Sequence, residues 1–167
     1  MKKLISIVTP FFNEEAGIEK YFAQLKEAFK KIPNISYEII AVDDGSLDTT
    51  FSMLRAHAQK NKNIKIIKLS RNFGKEIALS AGLDHAFGDA VIPMDADLQD
   101  APSAIAAMIE KWREGYKVVL AQRFNRQDPF LKKFTAKIFY KLASRIMDFV
   151  LPSNVGDFRL MDKIVVA

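Results

Sequence analysis

Carboxylates concentrate in two short segments of this 167-residue chain. In Asp95-Ala96-Asp97-Leu98-Gln99-Asp100 two aspartates stand two positions apart, and in an extended segment such residues share a face. Like charges aimed into one pocket favour a shared cation, and hard oxygen ligands suit magnesium or manganese bridging a diphosphate. Val42-Asp43-Asp44-Gly45-Ser46 supplies a second pair, beside a glycine that permits a tight turn. Thr9-Pro10-Phe11-Phe12-Asn13-Glu14 adds another polar segment, and Lys75 offers a point charge for a phosphate. Each has a plainer reading. Asn13 or one aspartate of a pair can cap a helix, an isolated D-x-D is commonly a surface turn, and a lysine at a helix start is commonly solvated.

Two phosphate-binding patterns are excluded. The first segment carries no glycine where a dinucleotide fold would need G-x-G-x-x-G. Gly74-Lys75 is followed by Glu76 where a P-loop requires Ser or Thr.

These segments need elements to hold them. Short β-rich runs recur at Leu4 to Thr9, Tyr37 to Val42, Ile64 to Leu69, Ala90 to Met94 and Lys117 to Ala121. Between them the spacing predicts helices: one after Asn13 with Ile18, Tyr21, Phe22, Leu25 and Phe29 on one face, then Asp48 to Lys60, Lys75 to Phe87 and Pro102 to Glu114. Such alternation implies an α/β fold with a mainly parallel sheet and helices on both faces. Ligands of such sheets sit beyond the carboxyl ends of the strands, where this chain is unusually acidic.

With 49% hydrophobic residues the chain is long enough for one domain with a real core. It has no cysteine, which excludes disulfides, zinc-thiolate sites and thiol catalysis. A net charge of +5 points to an anionic partner without naming it. The opening apolar stretch stops at Pro10 and reads as a strand, not a signal peptide. No segment approaches the roughly 18 apolar residues of a membrane span. The end, from Met161 to Ala167, has helical composition and no stop signal, so a cut inside a longer protein is expected.

Taken in order and spacing, Pro10-Phe11-Phe12-Asn13-Glu14, Val42-Asp43-Asp44-Gly45-Ser46, Ser70-Arg71-Asn72-Phe73-Gly74-Lys75 and Asp95-Ala96-Asp97-Leu98-Gln99-Asp100 resemble the family 2 glycosyltransferases of GT-A (Rossmann-like) fold. The stretch from Ser70 to Lys75 and Gly156-Asp157-Phe158-Arg159-Leu160 look like the polyprenyl-phosphate branch, typified by bactoprenol glucosyltransferases and dolichol-phosphate mannose synthases. The resemblance implies that Pro10, Asn13 and Glu14 border the nucleotide, with Asp44 and Lys75 in the same site. It implies that Asp43 binds base or ribose, and that Asp95 lies by ribose and diphosphate. Asp97 would be the principal ligand of Mg2+ or Mn2+, with Asp95 and Gln99 beside it. Processive and hydroxyl-glycosylating relatives usually carry a Glu-Asp pair late in the chain. That pair is absent here, and Asp157 takes the comparable place as base or as a group orienting Arg159 or a sugar hydroxyl. The longer protein would continue into transmembrane helices at the cytoplasmic face of the cell membrane, and its homo-oligomerisation is left open.

The expected reaction is inverting transfer of a hexose, glucose from UDP-glucose by resemblance, to an undecaprenyl or dolichyl phosphate. A phosphate acceptor needs cations, and Arg123, Arg126, Lys132 and Lys133 flank Pro129 after the fifth run. From Phe130 to Val150, Leu131, Phe134, Ile138, Leu142 and Ile146 form an apolar stripe and Lys133, Lys137, Lys141 and Arg145 a basic one. This predicts an interfacial helix on the membrane surface, against the alternative of a core helix with a solvated lysine face. The chain is thus expected to divide into a nucleotide-sugar-binding core at 1–122 and an acceptor segment at 123–167 of the same catalytic domain. Transfer to a saccharide or protein hydroxyl by a soluble family 2 enzyme, nucleotidyl transfer at the same acidic site, and a non-catalytic basic module for anions or membranes are the competing readings. A nucleic-acid partner is not expected, since basic charge alone does not explain acidic residues at strand ends.

Overall fold

The register of the first two strands explains why the polar segments meet. In the computed structural model, which describes residues 2–99, 101–122 and 155–166, β1 (Lys3–Phe11) pairs in parallel with β2 (Ile35–Asp43) from Lys3 opposite Ile35 to Phe11 opposite Asp43. The two strands therefore end level, and the turns after them lie side by side. On its other edge β1 pairs in parallel with β4 (Ala90–Pro93), and β2 pairs in parallel with β3 (Ile64–Lys68). β5 (Val118–Gln122) and β6 (Val155–Asp162) complete a six-stranded sheet of order β3-β2-β1-β4-β6-β5.

Strand alternation divides the apolar residues between two faces. Val8, Ile40, Val42 and Val91 pack with Ala78 and Leu79 of α3 (Lys75–Leu83). The fit is close, since a Cβ on Gly82 would lie 2.3 Å from Val8 Cγ1. On the opposite face Phe11 meets Tyr21 of α1 (Ile18–Lys30) edge-on, with ring centroids 5.2 Å apart. Ile18, Tyr21, Phe22, Leu25 and Phe29 are all buried, as the apolar spacing predicts. α2 (Thr50–Lys60) buries Leu54, and α4 (Ala104–Arg113) buries Ile105, Met108, Ile109 and Trp112.

The helix starts differ from expectation for local reasons. The chain does not enter α1 at Asn13, which adopts φ +54 and turns toward β2; the helix begins at Ile18. Asp48 stands outside α2 and accepts the Thr50 N–H at 2.9 Å, an Asx-type turn ahead of the helix. Pro102 likewise precedes α4, its carbonyl accepting the Ile105 N–H at 3.1 Å.

β6 was not expected as a strand. It runs antiparallel to β4, with Val91 opposite Met161 and Ala90 opposite Asp162, so Met161 and Asp162 end a strand rather than begin a helix. Asp162 fastens it, accepting from Trp112 Nε1 at 2.8 Å and Lys117 Nζ at 3.1 Å. The short α5 (Lys163–Val166) follows. The sheet is mainly parallel with one antiparallel partner to β4, a mixed α/β arrangement.

Two compact units divide the chain, Met1–Leu120 with Asp157–Ala167, and Ala121–Gly156. Arg123, Arg126, Lys132, Lys133 and the amphipathic stretch 130–150 lie outside the described residues. Among the described residues no helix is long and apolar enough to cross a membrane.

Candidate active site

The turns after β1, β2 and β4 and the loop after β3 enclose a cleft of about 300 Å³. Its walls include Pro10, Glu14, Asp44, Lys75, Asp95 and Asp97, six of the residues singled out from the sequence. Phe12, Asn72, Gly74 and Ala96 complete much of the rest, each inside a quoted motif but given no role there.

The β1 and β2 turns are stitched together. Asn13 Oδ1 accepts the Leu47 N–H at 2.9 Å, and the Asn13 N–H donates to Ser46 Oγ at 3.1 Å. Glu14 N–H donates to Thr50 Oγ1 at 2.8 Å. Asn13 thus braces the turns and is not among the residues lining the cleft.

Asp43 ends β2 fully buried. Its Oδ1 accepts the Ser46 N–H at 3.3 Å, while its Oδ2 is buried with no hydrogen-bond partner among the described residues. A buried charged oxygen left open is costly, so this atom is suited to an N–H or O–H donor brought by a ligand.

Asp95 and Asp97 follow β4 as expected from the sequence. Asp95 holds Lys75 Nζ with both oxygens, at 2.8 and 2.9 Å. Asp97 is exposed, and its Oδ1 accepts the Gln99 N–H at 3.0 Å. Gln99 contributes its backbone to that turn, with Leu98 between them at φ +58. The field here is negative: burial pushes the Glu14 carboxyl up from its usual range, and the charges of Asp97 and Asp48 push it further. Below, burial pushes the Tyr21 hydroxyl up as well, opposed by its hydrogen bond with Thr9 Oγ1 and reinforced by the charge of Asp95.

The donor set fits a divalent ion that is shared with a ligand. Among the described residues no group of three or more His, Cys, Asp or Glu could hold a metal by itself. Asp97, with Asp95 nearby, offers one or two carboxylates in a negative field, the arrangement by which magnesium or manganese is held together with phosphate oxygens and water.

Two further expectations concern β6. The β4–β6 register sets Val91 opposite Met161; the same antiparallel step, continued without a bulge, would set the Asp157 backbone beside Asp95. The Arg159 side chain lines a different cavity, with Ser80, Val91, Met161 and Val166, and its Nε is buried without a partner among the described residues. The structure does not bring Arg159 to the cleft.

Known proteins match this architecture. The model of the family described as Glycosyl transferase family 2 matches residues 6–167. An uncharacterised glycosyltransferase of Synechocystis sp. is 55% identical over 97% of this chain and 51% of its own length. The bactoprenol glucosyl transferase of Shigella phage SfV is 47% identical over 97% of this chain and 53% of its own length. The chain spans about half the length of these curated relatives. Among solved structures, a mannosyltransferase from Pyrobaculum calidifontis in complex with GDP-Man and Mn2+ superposes with a TM-score of 0.66 at 20% identity, covering 99% of this chain and 46% of that one. At that identity the likeness speaks to the fold.

Proposed function

This chain belongs to glycosyl transferase family 2, and we propose that it is the catalytic part of an enzyme that transfers a hexose from a nucleoside diphosphate to a polyprenyl phosphate. The observation that carries this reading is one cleft holding Asp95, Asp97 and Lys75 beyond the ends of parallel strands; Asp43, whose Oδ2 is buried and open, ends β2 but is not among the residues lining that cleft. The bactoprenol glucosyl transferases at 47% identity favour the lipid acceptor and glucose as the sugar; UDP as its carrier rests on the sequence resemblance alone.

In this mechanism Asp43 receives an N–H or O–H of the base or ribose, and Pro10 and Glu14 border the nucleotide. Asp97 would hold Mg2+ or Mn2+, with Asp95 and the Gln99 turn beside it, and such an ion would supply positive charge for the departing diphosphate. Lys75 stands where it can exchange Asp95 for a phosphate oxygen. An oxygen of the acceptor phosphate forms a bond to the anomeric carbon from the side opposite the diphosphate. The anomeric C–O bond breaks, its electron pair leaves with the nucleoside diphosphate, and the configuration inverts. A phosphate monoester has its second pKa near 6, so the acceptor carries no proton that must be removed, and Asp157 is assigned to orienting groups rather than to deprotonation. Arg123, Arg126, Lys132 and Lys133 would hold the acceptor phosphate, and the 130–150 stripe would rest on the cytoplasmic membrane surface.

The test gives the full-length protein labelled UDP-glucose, UDP-N-acetylglucosamine and GDP-mannose with polyprenyl phosphate and Mn2+, then extracts lipid. Label in the lipid phase is expected with UDP-glucose. Label transferred only to a water-soluble saccharide or a protein would overturn the acceptor assignment, and no transfer with any donor would overturn the enzyme.

A further inference from the structure

Asp44, in the acidic turn after β2, is among the residues lining the cleft, yet it is only 2% exposed and both its carboxylate oxygens are bonded within the protein. Its Oδ1 accepts the Phe73 N–H at 2.8 Å and its Oδ2 accepts the Gly74 N–H at 3.0 Å. These successive amides are the last before α3, where backbone donors have no helical partner and negative charge is favoured by the helix dipole. Gly45 closes the same contact: a Cβ there would lie 2.4 Å from the Arg71 carbonyl carbon and 2.6 Å from Asn72 N. The 71–74 backbone therefore rests directly on the 44–45 turn. From Gly74, at φ +94, the chain enters α3, and the next side chain, Lys75, reaches both oxygens of Asp95.

One connected path thus runs from Asp44 through two amides to Lys75 and Asp95. We infer that Asp44 is a positioning residue that fixes where Lys75 stands in the cleft and acts on the bound diphosphate only through Lys75. The inference rests on the reading of the cleft as a nucleoside diphosphate site. A side chain that contacts the ligand itself would contribute whether or not Lys75 is present; one that acts through Lys75 would not.

A double-mutant cycle separates these roles. Binding of UDP and of GDP with Mn2+ is measured calorimetrically on full-length wild type, Asp44→Asn, Lys75→Met and the double variant, with a thermal melt of each. Asp44→Asn keeps the shape but turns an amide group toward a backbone N–H, and a roughly tenfold weaker affinity is expected from the loss of one buried bond. In the Lys75→Met background the same change should leave affinity unaltered, although the melting temperature falls equally in both backgrounds. A tenfold loss that persists without Lys75, or unchanged affinity in Asp44→Asn, overturns the assignment. If Asp44→Asn does not fold, Asp44→Ser, which retains an acceptor for one amide, enters the cycle and is judged the same way. Wild type binding neither diphosphate would overturn the transferase reading as well, so the two failures are distinct.

Discussion

In the first half of β2, Glu38 uses both carboxylate oxygens inside the protein: Oε1 accepts from Ser6 Oγ at 2.6 Å and the Phe87 N–H at 2.9 Å, and Oε2 pairs with Lys65 Nζ at 2.6 Å. Ser6 Oγ in turn accepts the Gly88 N–H at 2.8 Å. Where the same strand stops, Asp43 is at least as buried yet leaves Oδ2 open. Both carboxylates sit in the sheet, and both are withdrawn from water. A buried polar group is tolerated when paired and costly when not. The closed network therefore reads as structure, anchoring the loop that leads into β4, and the open oxygen reads as a place reserved for a ligand.

This contrast is broken most strongly by Glu38→Ala. Leaving Ser6, Lys65 and the Phe87 amide without their acceptor should lower unfolding free energy by about 3 kcal/mol, while UDP and GDP affinity stay unchanged when measured well below the melting temperature. A fall in affinity of the still-folded variant would show that the two ends are coupled. Asp97→Ala should do the reverse. Its side chain is exposed, so the melt should not move, whereas Mn2+-dependent nucleotide binding should weaken by about 100-fold, near 2.7 kcal/mol. Equal affinity would remove Asp97 from the metal assignment.

The functional end of the sheet was the more legible in the sequence. The carboxylates of the cleft appear as clusters at strand ends, and Asp95 and Asp97 emerge from β4 as the D-x-D spacing implies. Contacts that are distant in sequence were not legible. Ser6 and Glu38 lie 32 residues apart, and within strands they look like ordinary alternation. Asp44 and the Phe73 amide are joined across 29 positions, a bond that the local motif does not announce. β6 did carry a signal, with Phe158 and Leu160 alternating against Asp157 and Arg159. That signal competes with the helical composition of Met161 to Ala167, and an antiparallel partner for β4 cannot be inferred from a local pattern.

Asp43→Asn sharpens the comparison at the level of a single group. Asn keeps an acceptor for the Ser46 N–H and removes a buried charge, so unfolding free energy should stay within about 0.5 kcal/mol of wild type or rise. Nucleotide affinity should fall roughly tenfold, because the ligand donor loses a charged acceptor. Destabilisation as large as that of Glu38→Ala would place Asp43 with the structural carboxylates instead.

The smallest effect is one of slope. Burial pushes the Glu38 carboxyl up, but hydrogen bonds from Lys65, Ser6 and the Phe87 N–H outweigh it, so its folded pKa lies below the ordinary 4.5. With the folded value depressed, the unfolded chain binds more protons in acid. The stabilisation is fully present above the unfolded pKa and is lost as pH falls through the folded one. Urea unfolding at successive pH values from about 6 down to about 3 should therefore show a steeper acid limb for wild type than for Glu38→Gln, which cannot titrate there. Asp89 and Asp162 also have lowered carboxyl pKa values, held down chiefly by the Leu4 N–H and Trp112 Nε1, so the variant should retain part of the slope. Parallel limbs would mean that Glu38 takes up its proton equally in folded and unfolded chains, and the closed network in the first half of β2 would then owe its stability to packing rather than to charge.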